Sequence, residues 1–394
     1  MRLLATRSVR ALEEDLADLE ARDLLRVRRR VGGGQGPEVR LDGRRVLCFA
    51  SNNYLGLAAD PEVVAASRTA LSTGGASAGA SPLVSGHMDP HEELERAIAD
   101  WLGCEAALVF GSGYHANIGV IAALAGREDA VFSDALNHAS LIDGCRLARA
   151  AVRIYRHGDL DDLEEKIRAT PARRRLIVTD SVFSMDGDTA DLAGLVEIAA
   201  RHEAWLMLDE AHAVGVFGDD GGGLAAARGV AGRVPIRMGT FGKALGSYGA
   251  FVAGSRALVE TLVNRARSYV FSTALPPAVV GAAGAAIRIA RRERTRRERL
   301  WRNARRLHEG LGAAGLRLGP LDSTIVPVIL GEPWAALSVA RRAMEEGVWA
   351  PAIRPPTVAP GTARLRLTPI ATHDDEQIDR AVEVIGRAAR QEAR

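Results

Sequence analysis

The spacing of hydrophobic and polar positions changes along this 394-residue chain and predicts three regions. Between about residues 60 and 285, short apolar runs alternate with longer amphipathic stretches. Apolar runs of this kind are typical of parallel strands that helices cover on both faces. The pattern therefore predicts an α/β fold with a mostly parallel, seven-stranded sheet. The candidate strands are Ala107–Phe110, Ala130–Phe132, Val152–Tyr155, Leu176–Thr179, Trp205–Leu208, Ile236–Met238 and Ala250–Ala253.

The region before this sheet is too short to form a core of its own. Residues 9–30 have the spacing of an amphipathic helix, and the glycine-rich segment 31–37 interrupts it. A β-hairpin is expected over Val39–Ala50, with its turn at Asp42 and Gly43. These elements predict an N-terminal arm.

The last region begins after a helical stretch over residues 277–313. Its elements are predicted in the order strand, helix, strand, strand and helix, over Ile325–Leu330, Trp334–Glu346, Trp349–Ile353, Ala363–Thr368 and Asp374–Ala389. This order is typical of a small α+β domain. The chain is therefore divided into an N-terminal arm over residues 1–58, a large domain over 59–285 and a small C-terminal domain over 286–394.

Composition narrows the classes of function. The chain has 51 Lys and Arg against 49 Asp and Glu, and a net charge of +2 does not favour a nucleic-acid partner. The densest basic run, Arg291–Arg299, contains glutamates and is interpreted as the solvated face of a helix rather than a polyanion site. The three cysteines form no CxxC pair, and no apolar run could span a bilayer. We expect a cytoplasmic protein with no membrane partner.

Only two of the basic residues are lysines, Lys166 and Lys243. Unlike an arginine, a lysine amine can lose its proton and attack a carbonyl. Lys166 lies in the charged helical stretch 161–168 and is interpreted as a surface residue. Lys243 lies between glycines, just after the apolar run that ends at Met238. This position would suit either a phosphate-binding loop or a lysine that forms a Schiff base.

The sequence around Lys243 does not match a P-loop. That motif requires Ser or Thr after the lysine, but Ala244 follows here, and no glycine stands five residues before Gly242. Thr240 offers a hydroxyl to an anion close to the amine. An amine beside an anion site favours pyridoxal phosphate, which carries both an aldehyde and a phosphate.

Further polar residues follow the predicted strands, and ligands of parallel sheets bind at the carboxyl ends of strands. Asp209 ends one buried run, and His212 follows it. Such an aspartate could pair with a pyridine nitrogen, although a metal site or a helix cap would give the same motif. Gly113 and Tyr114 follow another strand, where a helix N-terminus could hold a phosphate.

Two more strand ends carry candidate ligands. His138 follows the second candidate strand and could cover a flat heterocycle, or it could be structural. Ser184 lies in the segment 180–188, which offers hydroxyls and a tight turn. Five such signals in one part of the chain favour a single site.

In combination these motifs resemble the α-oxoamine synthases, a family of fold-type I pyridoxal-phosphate enzymes. The resemblance covers nearly the whole chain and is carried by Ala50–Leu57, Leu83–Gly86, Ser184–Asp188, Asp209–His212, Thr240–Lys243 and Phe271–Pro277. Residues 352–358 and 361–368 look most like the member of the family that serves biotin synthesis. The alternatives are another member, such as a glycine C-acetyltransferase, or a non-catalytic regulator with the same fold.

The resemblance implies that pyridoxal 5′-phosphate is the cofactor and that Lys243 binds it covalently. Asp209 would pair with its ring nitrogen, His212 with its phenolic oxygen, and His138 would stack on the ring. Further cofactor contacts are implied for Gly113, Tyr114, Ser184, Thr240 and Thr273. Thr273 would act across the interface of a homodimer with shared active sites.

The resemblance also implies the substrates. Asn52 and Arg366 match positions that hold the amino-acid carboxylate, and Arg26 and Thr357 match other substrate positions. The implied reaction is the decarboxylative condensation of L-alanine with a pimeloyl thioester, either pimeloyl-CoA or pimeloyl-acyl carrier protein. No metal is implied.

Overall fold

The computed structural model describes residues 7–22 and 24–392. The strands of this part of the chain are β1 Val31–Gly32, β2 Glu38–Leu41, β3 Arg44–Cys48, β4 Ala106–Phe110, β5 Ala130–Asp134, β6 Ala151–Tyr155, β7 Arg175–Asp180, β8 Trp205–Asp209, β9 Ile236–Thr240, β10 Ala250–Gly254, β11 Val326–Gly331, β12 Val348–Trp349, β13 Ala352–Ile353 and β14 Ala363–Leu367.

The α-helices are α1 Arg7–Ala21, α2 Pro61–Gly74, α3 Asp89–Leu102, α4 Gly113–Leu124, α5 Ala139–Ala148, α6 Leu160–Ala169, α7 Leu192–Arg201, α8 Leu224–Ala227, α9 Arg256–Arg265, α10 Arg267–Val270, α11 Pro277–Arg292, α12 Arg294–Ala313, α13 Pro333–Glu345 and α14 Asp375–Glu392. Short helical turns lie at Leu57–Ala59, Pro82–Gly86 and Ala231–Arg233. No helix of the described segments is both long enough and apolar enough to cross a membrane.

A seven-stranded sheet forms the centre of the large domain, in the order β4-β10-β9-β8-β7-β5-β6. All seven predicted strands belong to it, and only β10 runs antiparallel to its neighbours. Ala250 of β10 lies opposite both Phe110 and Thr240, so β4 and β9 end at the same edge of the sheet. Asp180 and Asp209, which end β7 and β8, are also paired in register. The predicted mostly parallel α/β sheet is therefore confirmed.

Helices cover this sheet on both faces because its central strands are largely apolar and buried. One core cluster joins alternate strand residues to side chains such as Ile98 of α3 and Ile287 of α11. The other cluster joins the remaining strand residues to side chains such as Val120 of α4 and Leu141 of α5. Burial on both faces leaves the sheet edges and strand ends as the places where polar side chains can lie.

The predicted hairpin is also present. β2 and β3 pair antiparallel, and their turn residues Asp42 and Gly43 have φ angles of 49° and 90°. β12 pairs in parallel with β3, so the hairpin and a C-terminal strand share one four-stranded sheet. A second C-terminal sheet, in the order β11-β14-β13, packs against α12, α13 and α14. The division at residues 58 and 285 stays a prediction.

Two predicted elements were too long. The N-terminal helix was expected over residues 9–30 but ends at Ala21, and the N–H groups of Leu24 and Leu25 turn back to the Leu19 carbonyl. The backbone of Arg30 pairs with Asp42 beside the hairpin, which an α-helix would not allow. The amphipathic spacing correctly predicted a helix in this region, but it did not indicate that the helix ends at Ala21.

The predicted strand Trp349–Ile353 is split between two sheets. Trp349 pairs with Cys48 in the first sheet, whereas Ala352 pairs with Leu365 in the second. Pro351 lies between them and has no N–H to donate, which favours a break in the ladder at this position.

The basic run Arg291–Arg299 is only partly the solvated face that its composition indicated. Arg297 is 4% exposed, and its guanidinium donates to the carbonyl oxygens of Ala290 and Asp219. The chain turns at Glu293 between α11 and α12, so a carbonyl near the end of α11 has no partner within its helix. Arg297 therefore caps a helix end, which the charge pattern did not reveal.

Candidate active site

Two carboxylates meet at the carboxyl edge of the sheet. Asp180 and Asp209 are each 4% exposed and lie opposite each other on β7 and β8. The backbone N–H of His138 donates to Asp180 Oδ2 at 2.6 Å. Burial, together with the neighbouring Asp209, holds the pKa of Asp180 well above its usual range. The edge therefore holds buried carboxyl groups that a cation would stabilise.

Hydrogen bonds fix the side chain of Asp209. Its Oδ2 accepts from Asn117 Nδ2 at 2.7 Å, and its Oδ1 accepts from the Ala211 N–H at 2.8 Å. Asn117 lies on α4 and also donates to Ser140 Oγ at 2.8 Å. A carboxylate has about four acceptor positions, so Asp209 can still accept a proton-bearing group.

Lys243 follows β9 and is half-buried. Burial is the main cause that lowers the pKa of its amine to about 8, against the opposing attraction of Asp209 and Asp180. His138 lies within electrostatic range of both Asp209 and Lys243, and partial burial lowers the pKa of its imidazole. A lysine amine that loses its proton near pH 8 therefore lies beside two carboxyl groups and an imidazole whose pKa is lowered.

His212 belongs to a second set of contacts beside this lysine. Its Nδ1 lies 2.7 Å from the Tyr54 hydroxyl, and burial, followed by the charges of Lys243 and Arg366, holds its pKa well below the usual range. Arg366 of β14 donates to Asn52 Oδ1 at 3.1 Å and to the Ser184 carbonyl. Asn52, Ser184, His212 and Arg366, which four different segments supply, are thus joined through hydrogen bonds.

Ser184 lies in a loop that is held from two sides. Arg364 of β14 donates to the carboxylate of Asp186, and it also donates to the Met185 carbonyl at 3.3 Å. His157 bridges Asp134 at 2.9 Å and Asp188 at 2.8 Å. These contacts fix the loop between the large sheet and the C-terminal sheet.

The side chain of His157 is charged at neutral pH. Its hydrogen bonds to Asp134 and Asp188 raise its pKa to about 10. Its ring also packs edge-to-face on Phe183, with centroids 4.4 Å apart.

The N-terminus of α4 lies at the same edge of the sheet. Ser112 caps it by accepting from the His115 N–H at 3.1 Å, which leaves other N–H groups of the first turn available to an anion. Gly113 begins the helix, and the neighbouring phenol of Tyr114 donates to Asp143 at 2.6 Å. Thr240 Oγ1 donates to the Gly249 carbonyl at 2.8 Å and accepts from the Gly242 N–H at 3.1 Å.

Three of the predicted site residues lie apart from these contacts. Arg26 is exposed in the irregular segment before β1, Thr357 is exposed after β13, and Thr273 is exposed after α10. Among the described residues, no hydrogen bond or ion pair joins any of the three to the groups around Lys243. Their assignments stay predictions.

Sequence reasoning did not single out several residues of this site. Asp180 ends a strand as Asp209 does, and His157 follows β6, so the strand-end argument could have found both. Tyr54 lies within the motif Ala50–Leu57, but nothing in the sequence indicates that its hydroxyl reaches a histidine 158 residues away. Asn117 is a polar residue on a helix that is otherwise largely apolar, and this was its only signal.

The donor set fits pyridoxal phosphate on observations of the structure itself. It offers a buried carboxylate for a ring cation, an amine with a lowered pKa for an aldehyde, and a capped helix N-terminus with a nearby threonine for a phosphate.

Comparisons with known proteins agree with this fit. The family model described as aminotransferase class I and II matches residues 44–385. The chain is 52% identical to the 8-amino-7-oxononanoate synthase of Anaeromyxobacter sp. (strain K) over 93% of this chain and 92% of that protein. It is 49% identical to the enzyme of the same name from Alkalilimnicola ehrlichii, over 96% and 97%.

Solved structures show the same fold. The serine palmitoyltransferase of S. paucimobilis, with a bound PLP–myriocin aldimine, has a TM-score of 0.93 at 34% identity over all of both chains. The 8-amino-7-oxononanoate synthase of Francisella tularensis has a TM-score of 0.77 at 27% identity, covering 89% of this chain and 99% of that one. The predicted fold type I is thereby confirmed.

The chain belongs to the class I and II aminotransferase family and, within it, to the α-oxoamine synthases. The resemblance inferred from its motifs is therefore confirmed.

Proposed function

We propose that this chain is an 8-amino-7-oxononanoate synthase, a pyridoxal-phosphate-dependent acyltransferase that condenses L-alanine with a pimeloyl thioester and releases CO2. Identity of about half over nearly the full length to proteins of that name supports this reaction. The pimeloyl group would be carried by CoA or by acyl carrier protein.

One observation of the structure carries the chemistry. The Lys243 amine, whose pKa is lowered to about 8, lies within electrostatic range of Asp180 and Asp209 at the carboxyl edge of the sheet. An amine with this pKa is able both to attack an aldehyde and to exchange a proton near neutral pH. The neighbouring carboxyl group of Asp209 allows the site to hold a cationic ring.

Bound in this site, pyridoxal phosphate would supply an aldehyde for amine attachment and a ring that withdraws electrons from the amino-acid α-carbon. Asp209 would hold the ring nitrogen, and His138 would cover the ring face. The helix N-terminus at Gly113 and the Thr240 hydroxyl would hold the phosphate. The phenol of Tyr114 donates to Asp143, and this residue would contact the cofactor from the start of the same helix.

Lys243 has two tasks in this proposal. Its Nζ would hold the cofactor, and the same nitrogen would be placed to take the α-proton from the amino acid. The lowered pKa suits both tasks, because the neutral amine is the form that accepts the proton. After the acyl group has been transferred and CO2 lost, the same nitrogen can return a proton to the α-carbon.

Asn52 and Arg366 would hold the amino-acid carboxylate. Arg366 already contacts Asn52 and the Ser184 carbonyl, so its guanidinium is pre-positioned by the loop that Arg364 and His157 hold. Holding the carboxylate also orients the α-proton toward Lys243 Nζ, which lowers the entropic cost of reaching a reactive geometry. Arg26 and Thr357 would supply further substrate contacts.

The whole-molecule part of the proposal is a homodimer in which Thr273 of one subunit completes the site of the other. Membership of this fold family supports a dimer. A cytoplasmic location is likewise proposed, and it fits a chain whose three cysteines are all free.

CO2 release tests the function directly. Purified protein loaded with cofactor is incubated with carboxyl-labelled L-alanine, glycine or L-serine and with pimeloyl, acetyl or palmitoyl thioesters. We expect thioester-dependent release that is fastest with alanine and a pimeloyl donor. Preference for glycine and acetyl-CoA would instead identify a glycine C-acetyltransferase.

The high TM-score of serine palmitoyltransferase defines the second candidate, serine with a long acyl thioester. The sequence identity of 34% to that enzyme, against 52% for the synthases, favours alanine and pimeloyl. CO2 release that required serine and palmitoyl-CoA would instead favour a serine palmitoyltransferase over the proposed synthase.

A further inference from the structure

Tyr54 connects two groups that the proposed function uses separately. Its hydroxyl lies 2.7 Å from His212 Nδ1 and 3.5 Å from Arg366 Nη2. The side chain is 1% exposed, and its backbone carbonyl accepts from the Ala371 N–H at 2.7 Å. The phenol is therefore held in one place, between the histidine on the cofactor side and the arginine on the carboxylate side.

The partners of the Tyr54 hydroxyl restrict where its single proton can go. A guanidinium only donates, so the Tyr54 oxygen accepts from Arg366. The single phenol proton can then go to His212 Nδ1 at 2.7 Å or to Asn52 Oδ1 at 3.3 Å. Asn52 Oδ1 already accepts from Arg366 Nη1 at 3.1 Å, and the contact with His212 is much the shorter.

The protonation states agree with this direction. Burial raises the pKa of Tyr54, so the phenol keeps its proton at neutral pH. Burial lowers the pKa of His212 well below its usual range, so the imidazole carries only one proton. If Nδ1 accepts from Tyr54, that proton is on Nε2.

We propose that Tyr54 is a positioning residue that holds His212 in the Nε2–H tautomer and links it to the Arg366–Asn52 pair. This rests on the proposed function in one respect, the assignment of His212 to the phenolic oxygen of the cofactor. An Nε2–H donor could stabilise negative charge on that oxygen, whereas the other tautomer would present a lone pair to it.

The tautomer can be measured without turnover. Full-length protein labelled with nitrogen-15 at histidine is studied by long-range proton–nitrogen correlation, with His212→Asn used to assign the ring signals. We expect His212 to show a protonated Nε2 and an accepting Nδ1. In Tyr54→Phe, both tautomers should become populated, because Nδ1 has lost its donor.

Kinetics provide a second readout. Removing one hydrogen bond between neutral groups should lower kcat by up to about tenfold. The KM for the amino acid should change less than kcat, since Arg366 and Asn52 remain. Tyr155→Phe is the matched control, because Tyr155 is also 1% exposed but lies on the edge strand β6. It should keep both the His212 tautomer and the wild-type kinetics.

The outcomes separate clearly. An Nδ1–H tautomer in the wild-type protein would overturn the inference even if Tyr54→Phe did not fold. An unchanged tautomer in a folded Tyr54→Phe protein would overturn it as well, as would an equal kinetic loss in Tyr155→Phe. A chain that failed to condense alanine with pimeloyl thioester would disprove the proposed function while leaving the tautomer result intact.

Discussion

The surroundings of the two lysines differ in the way that their chemistry requires. Lys166 is a partly exposed residue of α6, and its amine pairs with the buried carboxylate of Asp162 at 2.5 Å, one helical turn away. Lys243 lies among two carboxyl groups and two neutral histidines, and burial outweighs the attraction of the carboxylates. The scarcity of lysine in the sequence drew attention to Lys243 as a candidate catalytic residue. Only its surroundings in the folded protein explain why its pKa is lowered.

The rate of covalent cofactor attachment should follow the Lys243 pKa of about 8. Only the neutral amine attacks an aldehyde, so in cofactor-free protein the rate should rise roughly fivefold from about pH 7 to 8 and level off near pH 9. Stopped-flow absorbance with added pyridoxal phosphate measures it. A rate that kept rising about tenfold per pH unit up to about pH 10 would indicate an unperturbed lysine.

Asp209→Asn should lower turnover by roughly 10²-fold or more, because a neutral amide cannot stabilise a cationic ring nitrogen. The amide oxygen can still accept one of the two present hydrogen bonds, from Asn117 or from Ala211, so the fold should persist. Steady-state CO2 release and circular dichroism measure the two effects. Near wild-type turnover in a folded variant would rule out the assigned role.

Among the elements, the loop that carries Ser184 is held in place by charged side chains. His157 bridges the end of β5 to Asp188 of this loop, and Arg364 of β14 holds the loop from the other side. Because the pKa of His157 is raised from its ordinary 6.5 to about 10, its contribution to stability is complete below about pH 6.5. That contribution is lost as the pH rises through about 10.

His157→Ala should therefore lower the free energy of unfolding by about 1.5–3 kcal/mol at about pH 6, and by less as the pH approaches 10. Urea unfolding of variant and wild type across this range measures the difference. Asp188→Asn, which removes one of the two partners, should show a smaller effect with the same pH trend. A difference that did not shrink with pH would show that His157 stabilises only by packing on Phe183.

The elements also show how far sequence patterns reach. All seven strands of the central sheet were predicted, because most of them are buried and consist of short, nearly continuous apolar runs. The non-helical path of residues 24–30 and the split of the strand at Pro351 were not predicted, since Arg30 pairs with the distant Asp42 and Ala352 with the distant Leu365. The burial of Arg297 was missed for the same reason, because its carbonyl partners come from a turn and another loop.

At the scale of the whole molecule, the site is assembled from parts that lie far apart in the sequence. Asn52 and Tyr54 precede the large domain, and Arg366 follows it by about 80 residues along the predicted boundaries, yet they share hydrogen bonds. The strand-end residues could be predicted because parallel topology places them on one edge. The Asn52–Tyr54–Arg366 contacts could not, because no periodicity specifies how the arm and the C-terminal sheet meet that edge.

The protein should behave as a dimer of twice 41.9 kDa in solution. α1 leaves Leu12 and Leu16 exposed, at 62% and 53%, and an apolar helix face of this kind favours association. Size-exclusion chromatography with light scattering measures the mass. A stable, fully active monomer would disprove the predicted role of Thr273 across an interface.

Borohydride reduction followed by peptide mapping tests the central claim most directly. Reduction fixes the cofactor to the amine that holds it, and the account predicts a single phosphopyridoxyl group on the peptide that contains Lys243, with no label in Lys243→Ala. Label on Lys166, or undiminished label in Lys243→Ala, would contradict the account.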